Sequence, residues 1–321
     1  MIVRSLLEDG RLRMEVHPPL LSALARWLPH VPADTPADPS GSVIRVLAGD
    51  APPPARPARE RTLQLGKMDA WVEGDRTLLA GPSGVHGLVR LDAGEAELRV
   101  PREAEGMAWD LFTASTLACA LLLGRMGRPL VHAAAVAPPG GRAWLLVGDT
   151  HAGKTTTSAN LLRTGWSYVS DDHVVLHRDA QGRIAVEGLP RAFHLDEGWE
   201  TGQVRRRRGS TDPRERFPGA WRRTAPLAGL LFPRIHADEP TALAPAGAGE
   251  ALGALVRQSP WLLADRGCAP RVLALLRETA LLPAHALRLG LDTYADPPLL
   301  AERLGALRDA GGDGEPPAMD V

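Results

Sequence analysis

The stretch LLVGDTHAGKTTTSANLL, residues 145–162, decides how this chain is read. It opens on an apolar run that reads as a buried strand, passes through a glycine loop and continues as a helix. Gly148-Asp149-Thr150-His151-Ala152-Gly153-Lys154-Thr155 fits GxxxxGK[ST] in full, and a strand before and a helix after are the context that gives this pattern its meaning. Glycines let the backbone approach an anion closely, so that amide N–H groups at a helix N-terminus cradle phosphate. Lys154 is one of only two lysines in the chain, the other being Lys67; arginine carries the positive charge elsewhere. A compact ammonium on a flexible stem reaches a terminal phosphate where a planar guanidinium fits poorly, which accounts for a lysine kept here. Thr155 offers a hydroxyl to Mg²⁺. Gly148 to Thr155, with Thr156 in the following turn, is therefore the expected nucleotide-binding segment.

The polar residues on either side of the loop carry the next step. Downstream, the helix runs to about Arg163, Gly165 is its cap, and WSYVSDDHVVLH reads as a strand, so the spacing predicts a βαβ unit with a parallel pairing. Asp171 and Asp172 end a strand beyond the helix. Adjacent carboxylates there suit two roles, one holding a metal and the other accepting the proton of an attacking hydroxyl. Upstream, His132 interrupts the apolar run PLVHAAAVA, whose hairpin through PPGG leads into the loop, and is placed facing the site.

The rest of the chain divides where composition changes. Across 321 residues the formal net charge is −1, so no global field draws the protein to nucleic acid or an anionic membrane. Cys119 and Cys268 are too few for a disulfide framework and read as core thiols of a reducing, cytoplasmic setting. The longest apolar run, LACALLLG, is too short to span a bilayer, and the N-terminus lacks a signal-peptide pattern. Residues 1–100 read as a sheet-rich accessory or substrate-recognition domain: strand, helix at Leu20 to Leu28 and strand, then a proline-rich linker at 49–61, then a small antiparallel sheet from Thr62 to Val100. Residues 101–309 follow as the catalytic domain, opening with one long helix. Later helices are expected at 249–264, 269–281 and 297–308, and residues 310–321 read as a disordered tail.

LVHAAAV, GDTHAGKTT and GW-YVSDDHVVL together resemble the catalytic core of the HPr kinase/phosphorylase family, and more closely the HPr-kinase-related kinases. That superfamily's P-loop domain is similar to phosphoenolpyruvate (PEP) carboxykinase. The likeness spans residues 103–180, with 225–310 following by pattern alone. It implies an α/β fold, a P-loop kinase domain of the HPr kinase/PEP carboxykinase type joined to a small N-terminal α+β, sheet-rich domain. It further implies ATP and Mg²⁺ as cofactors and transfer of a phosphoryl group to a serine hydroxyl of a small protein or peptide. Related kinases act on other hydroxyls, including the C-terminal serine of lasso-peptide precursors. By the same resemblance Lys154 binds the β- and γ-phosphates, Thr155 ligates Mg²⁺, Asp171 is the general base, His132 supports base or substrate, and Asp172 lies near the metal or the lysine. Family members are often oligomeric, which extends an expectation of self-association to this chain. Two positions depart from the family pattern: Thr156 stands where Glu is common, and His151 where Gly is common. The C-terminal signature tied to phosphorolysis is not recognisable, so kinase activity alone is expected.

Arg205 to Arg208 form the one dense basic run, read either as a clamp for phosphates or an acidic peptide or as a solvated loop. Without interleaved aromatics it does not read as a nucleic-acid surface. Arg191 and His194 follow the Asp-Asp strand within reach of the site. The competing function class is a nucleotide-binding adaptor whose catalysis has lapsed, yet such a protein has no need of His132 and both aspartates. A guanine-type switch lacks its base-recognition motif, and a carboxykinase-like enzyme lacks an apparent second metal constellation.

Overall fold

Strands of two kinds build two large sheets and one separate two-stranded hairpin. The computed structural model describes residues 1–25, 38, 40–49, 52–102, 107–189, 192–199 and 205–310. In the N-terminal part, β1 (Ile2–Ser5), β2 (Leu12–Val16), β3 (Ser42–Ala48), β4 (Leu63–Leu65), β5 (Met68–Glu73), β6 (Arg76–Ala80), β7 (His86–Arg90) and β8 (Glu95–Val100) form one eight-stranded sheet ordered β1-β2-β3-β8-β7-β6-β5-β4. Every second residue of β2 and β8 is buried, the period of a sheet with one wet face. The strands from β4 to β8 pair antiparallel, as their alternation predicts. The sheet extends further than that meander, because β3 lies parallel to both β2 and β8. The proline-rich segment joins β3 to β4 within this sheet. The helix expected at Leu20 to Leu28 is α1 (Leu21–Ala25) as far as it is described; residues 26–28 lie outside the described residues.

The dry face of this sheet packs on α2 (Met107–Arg125). This is the one described helix long and apolar enough to cross a membrane, but its leucines are consumed in a core shared with the sheet and with Leu130, Val175 and Trp261 from the second half of the chain. Polar ties cross the same seam. Asp110 of α2 accepts the N–H and hydroxyl of Ser83 at 2.9 and 2.6 Å, and the buried Glu187 accepts the Glu8 N–H and the Arg223 guanidinium. Burial pushes the Glu187 carboxyl above its ordinary value, and those two donors act against that rise.

The second half is layered helix, sheet, helix. Its strands are β9 (Leu130–Val131), β10 (Ala133–Ala137), β11 (Ala143–Val147), β12 (Ser167–Ser170), β13 (Val174–Arg178), β14 (Ile184–Gly188), β17 (Thr224–Ile235), β18 (Ala242–Pro245) and β19 (Ala284–Leu289), with β15 (Phe193–Glu197) and β16 (Arg205–Thr211) in a separate hairpin. One face of the nine-stranded sheet packs on α5 (Ala248–Arg257) and α6 (Ala269–Ala280). The other packs on α3 (Lys154–Leu162), α8 (Pro297–Ala310) and the hairpin; two single turns, α4 (Pro213–Arg216) and α7 (Asp292–Ala295), complete the helices. Burial on both faces explains why β10 and β11 read as unbroken apolar runs.

Three sequence expectations change here. β11 does pair parallel, but with β17, whereas β12 pairs antiparallel with β10. The PPGG turn folds β10 back along the edge of β11 that a simple βαβ unit would leave for β12, so the crossover through α3 passes over one strand. PLVHAAAVA and WSYVSDDHVVLH are each two strands, broken at His132 and at Asp171-Asp172-His173. Arg205 to Arg208 lie on β16, paired with β15, and not in a loop; backbone pairing with the hairpin partner overrides their polarity. Of residues 310–321, expected as a tail, Ala310 belongs to α8, and residues 311–321, like Arg191, lie outside the described residues.

Candidate active site

The two strand breaks coincide. β9 pairs β13 on one side of them and β10 pairs β12 on the other, so two antiparallel runs part at the same level and leave His132 facing Asp171, Asp172 and His173. The His132 N–H, released from the ladder, donates to the Gln258 carbonyl at 2.8 Å. Onto this gap opens the loop from β11 to α3.

Gly148, Asp149, Thr150, His151, Ala152 and Gly153 form that loop, with Asp149, Thr150 and His151 exposed. His151 has φ 68°, the one positive value among described non-glycine residues, a left-handed conformation that glycine adopts without steric cost. Gly153 caps α3 with φ 100° and carries no side chain where Leu289 and Ile235 close in. Gln258 donates its amide to Asp149 Oδ1 at 2.7 Å, so one residue at the end of α5 steadies both the loop and the His132 break. Thr156 lies in the first turn of α3, half-buried.

Lys154 folds back under the loop. It is 7% exposed, and Nζ donates to the carbonyls of Gly148 at 2.7 Å and Asp149 at 3.0 Å and meets His132 Nε2 at 3.2 Å. An ammonium has only hydrogens to give, so Nε2 accepts and the neutral ring carries its proton on Nδ1. That nitrogen lies 2.9 Å from Asp172 Oδ1, and His173 Nδ1 lies 3.0 Å from Asp172 Oδ2. The result is one connected chain, Lys154 to His132 to Asp172, with His173 on its far oxygen. The His173 ring is fixed in turn by Phe112 at 6.4 Å and Trp261 at 5.7 Å between centroids. Asp171 belongs to a different pair: its Oδ2 accepts from the Thr155 hydroxyl at 2.8 Å.

The sequence expectation made Asp171 the general base, His132 a support for base or substrate and Asp172 a neighbour of the metal or the lysine; the geometry pairs Asp171 with Thr155 and Asp172 with His132. Asp171 is 5% exposed and faces the helix N-terminus, whereas the Asp172 side chain is 32% exposed. The cause is the strand break. Past the end of β12, Asp171 meets Thr155 of α3 and Asp172 reaches His132 across the gap.

Two donor sets fit cations. Thr155 Oγ1 and Asp171 Oδ2 are hard oxygens at the start of a helix, a combination that suits Mg²⁺. His132, Asp172 and His173 place one ligand atom each within 4.8 Å of one another, a nitrogen-rich set of the kind the sequence reading found lacking. Its atoms already satisfy one another as hydrogen bonds. Gln258 and His173 are the residues sequence reasoning missed. His173 adjoins the Asp-Asp pair and was legible as a third polar residue, while Gln258 stands far along the chain with no local signal. His194 lies on β15, away from this gap in the chain order, and is half-buried.

No family model matches the chain, and no curated protein matches it. Among the solved structures similar to this chain is the Hpr(Ser) kinase/phosphatase from Coxiella burnetii, with a TM-score of 0.34 and 11% identity, covering 56% of this chain and 97% of that one. A likeness that loose leaves the functional reading to the site's own residues.

Proposed function

We propose that the protein is an ATP- and Mg²⁺-dependent kinase that transfers the γ-phosphoryl group to a hydroxyl, in particular a serine of a small protein or peptide. The observation that carries this reading is the convergence at one helix N-terminus of a buried lysine, a Thr155–Asp171 oxygen pair and a His132–Asp172 pair. A binding module needs the first two. The third is surplus to binding and belongs to proton transfer.

The loop N–H groups and Lys154 hold the β- and γ-phosphates, with Lys154 exchanging its carbonyl contacts for phosphate oxygens. Thr155 and Asp171 hold Mg²⁺, which supplies charge neutralisation on the phosphates when bound. The acceptor hydroxyl gives its proton to Asp172, the more exposed carboxylate. Its oxygen bonds to the γ-phosphorus while the bond to the β–γ bridging oxygen breaks and ADP leaves. His132 orients Asp172 and links it to Lys154, so that acceptor and donor are positioned by one hydrogen-bonded chain. Most of the rate in such transfers comes from positioning and charge neutralisation, with proton transfer adding roughly 10²–10⁴-fold. The acceptor approaches past Trp109 and Phe112, at the start of α2, where the turn carrying Gly66 and the Ser83 turn of the N-terminal sheet come close. That sheet is the acceptor-recognition surface in this reading.

The test is label transfer from γ-labelled ATP to hydroxyl-bearing peptides by wild-type protein beside Asp172→Asn. Label on an acceptor with wild type only supports the proposal; equal transfer by the variant removes Asp172 from the proton-transfer step.

A further inference from the structure

The glycine loop has two flanks in the sheet, and acid–base chemistry occupies only one. In the order β12-β10-β11-β17, with β19 beyond, His132, Asp171 and Asp172 stand on the β10 and β12 side. On the other side the ends of β17 and β19 run along the lip of the loop. A Cβ placed on Gly148 would lie 3.6 Å from the Pro233 carbonyl oxygen. One placed on Gly153 would lie 2.8 Å from Leu289 Cδ1 and 3.2 Å from Ile235 Cγ1. Leu289 is buried, but Ile235 is 48% exposed, an apolar side chain in contact with the last glycine of the loop and open to solvent above it. Single exposed apolar residues are ordinary. This one adjoins a segment built for an anion, where solvent-facing positions would be expected to be polar.

We propose that Ile235, backed by Leu289, is the ledge on which the base of a nucleoside triphosphate lies while its phosphates fill the loop. The inference rests on the nucleotide-binding reading above. With the γ-phosphate over Lys154 on the His132–Asp172 side of the loop, the remainder of the nucleotide extends away from that pair, and the β17–β19 flank lies on the opposite side in the sheet order. A purine presents an apolar face, and cofactor sites typically wall such rings with aliphatic side chains and few polar groups. His236, the residue after Ile235, is engaged elsewhere: its N–H donates to the Leu289 carbonyl at 2.9 Å, and its ring lies 3.5 Å from Glu239. An aliphatic side chain offers the base no hydrogen bond, so Ile235 itself contacts the face of the base and does not distinguish ATP from GTP.

Titration calorimetry with Mg²⁺ separates the ledge from the cradle, using ATP, GTP and inorganic tripolyphosphate on wild type and Ile235→Ser. Loss of an aliphatic contact predicts about 5–20-fold weaker ATP and GTP binding. Tripolyphosphate affinity stays within about twofold, since it has no base to lose a contact. Unchanged ATP affinity in the variant overturns the ledge, as does an equal loss for ATP and tripolyphosphate, which marks damage to the loop itself. Wild-type protein that binds tripolyphosphate as tightly as ATP also overturns the ledge, while the cradle stands. Wild-type protein that binds neither overturns cradle and ledge together.

Discussion

Exchanging Asp171 for asparagine isolates the metal side of the site from its proton-transfer side. The amide keeps the size of the carboxylate, and its oxygen still accepts the Thr155 hydroxyl that now sits 2.8 Å from Oδ2, so the fold is retained. The lost charge is what matters. Replacing a charge-assisted hydrogen bond by a neutral one costs about 1 kcal/mol. Removing a unit charge about 4 Å from a cation costs about 4 kcal/mol at an effective permittivity of about 20, before rehydration of the ion offsets part of it. With rehydration of the ion returning roughly half of that, the expected fall in the Mg²⁺-dependent part of nucleotide affinity is about 10–100-fold. Asp172→Asn should leave Mg²⁺-dependent binding within about threefold of wild type. It should lower transfer by about 10²–10⁴-fold, because asparagine turns an N–H donor toward one of the two imidazoles and cannot take a proton. Calorimetry of ATP with and without Mg²⁺ on the three proteins reads the first effect without knowledge of the acceptor. If Asp172→Asn abolishes the Mg²⁺ dependence and Asp171→Asn does not, the division of labour derived from the strand break is wrong.

The remaining predictions concern the frame that holds these groups. Gln258→Ala removes the amide that reaches Asp149 at 2.7 Å and should weaken nucleotide binding about 3–10-fold through a looser loop, with calorimetry as the readout. Gly188→Ala would drive a methyl to 1.9 Å from the Val169 carbonyl oxygen; a cost of about 3 kcal/mol or more should lower Tm by about 6 °C or more in thermal unfolding. Asp292 ties the start of β18 to α7 by accepting the Thr241 N–H at 2.9 Å and the Thr293 N–H at 3.0 Å. Burial raises its pKa, yet the Thr241 and Thr293 hydrogen bonds outweigh this and hold the carboxyl below its usual range. A depressed folded pKa contributes stability above the unfolded value of 3.8 that is lost as pH falls through the folded pKa. Asp292→Ala should therefore cost about 1–2 kcal/mol at neutral pH, and denaturant titrations should show wild type and variant converging in acid.

How much of this was legible in the sequence depends on the range of the interaction involved. The glycine loop between strand and helix is a local pattern, and so are the meander from Thr62 to Val100 and the helices at 269–281 and 297–308. The same holds for the burial of Cys119 and Cys268. The helix expected at 249–264, by contrast, ends at Arg257, and a separate 3-10 turn covers Pro260–Ala264. Pairing partners are not local. A run such as AWLLV announces a strand buried on both faces but not its neighbour, so β17 in place of β12 beside β11 emerged only in three dimensions. The different partners of Asp171 and Asp172, Thr155 for one and His132 for the other, hinge on how a strand break aims two consecutive side chains. Nothing in the two letters DD encodes that. Gln258 holds its position because α5 ends against the His132 break, more than a hundred residues along the chain from the loop it anchors.

The central claim, that this site transfers a phosphoryl group to a hydroxyl, is tested most directly by incubating the protein with γ-labelled ATP and Mg²⁺ beside serine-bearing peptides and the small proteins encoded next to its gene, with Lys154→Ala and Asp172→Asn in parallel. The account predicts label on one acceptor hydroxyl with wild type, no nucleotide binding with Lys154→Ala, and binding without transfer with Asp172→Asn. Wild-type protein that binds Mg²⁺-ATP tightly and labels none of these acceptors would contradict the kinase reading and leave a nucleotide-binding module in its place.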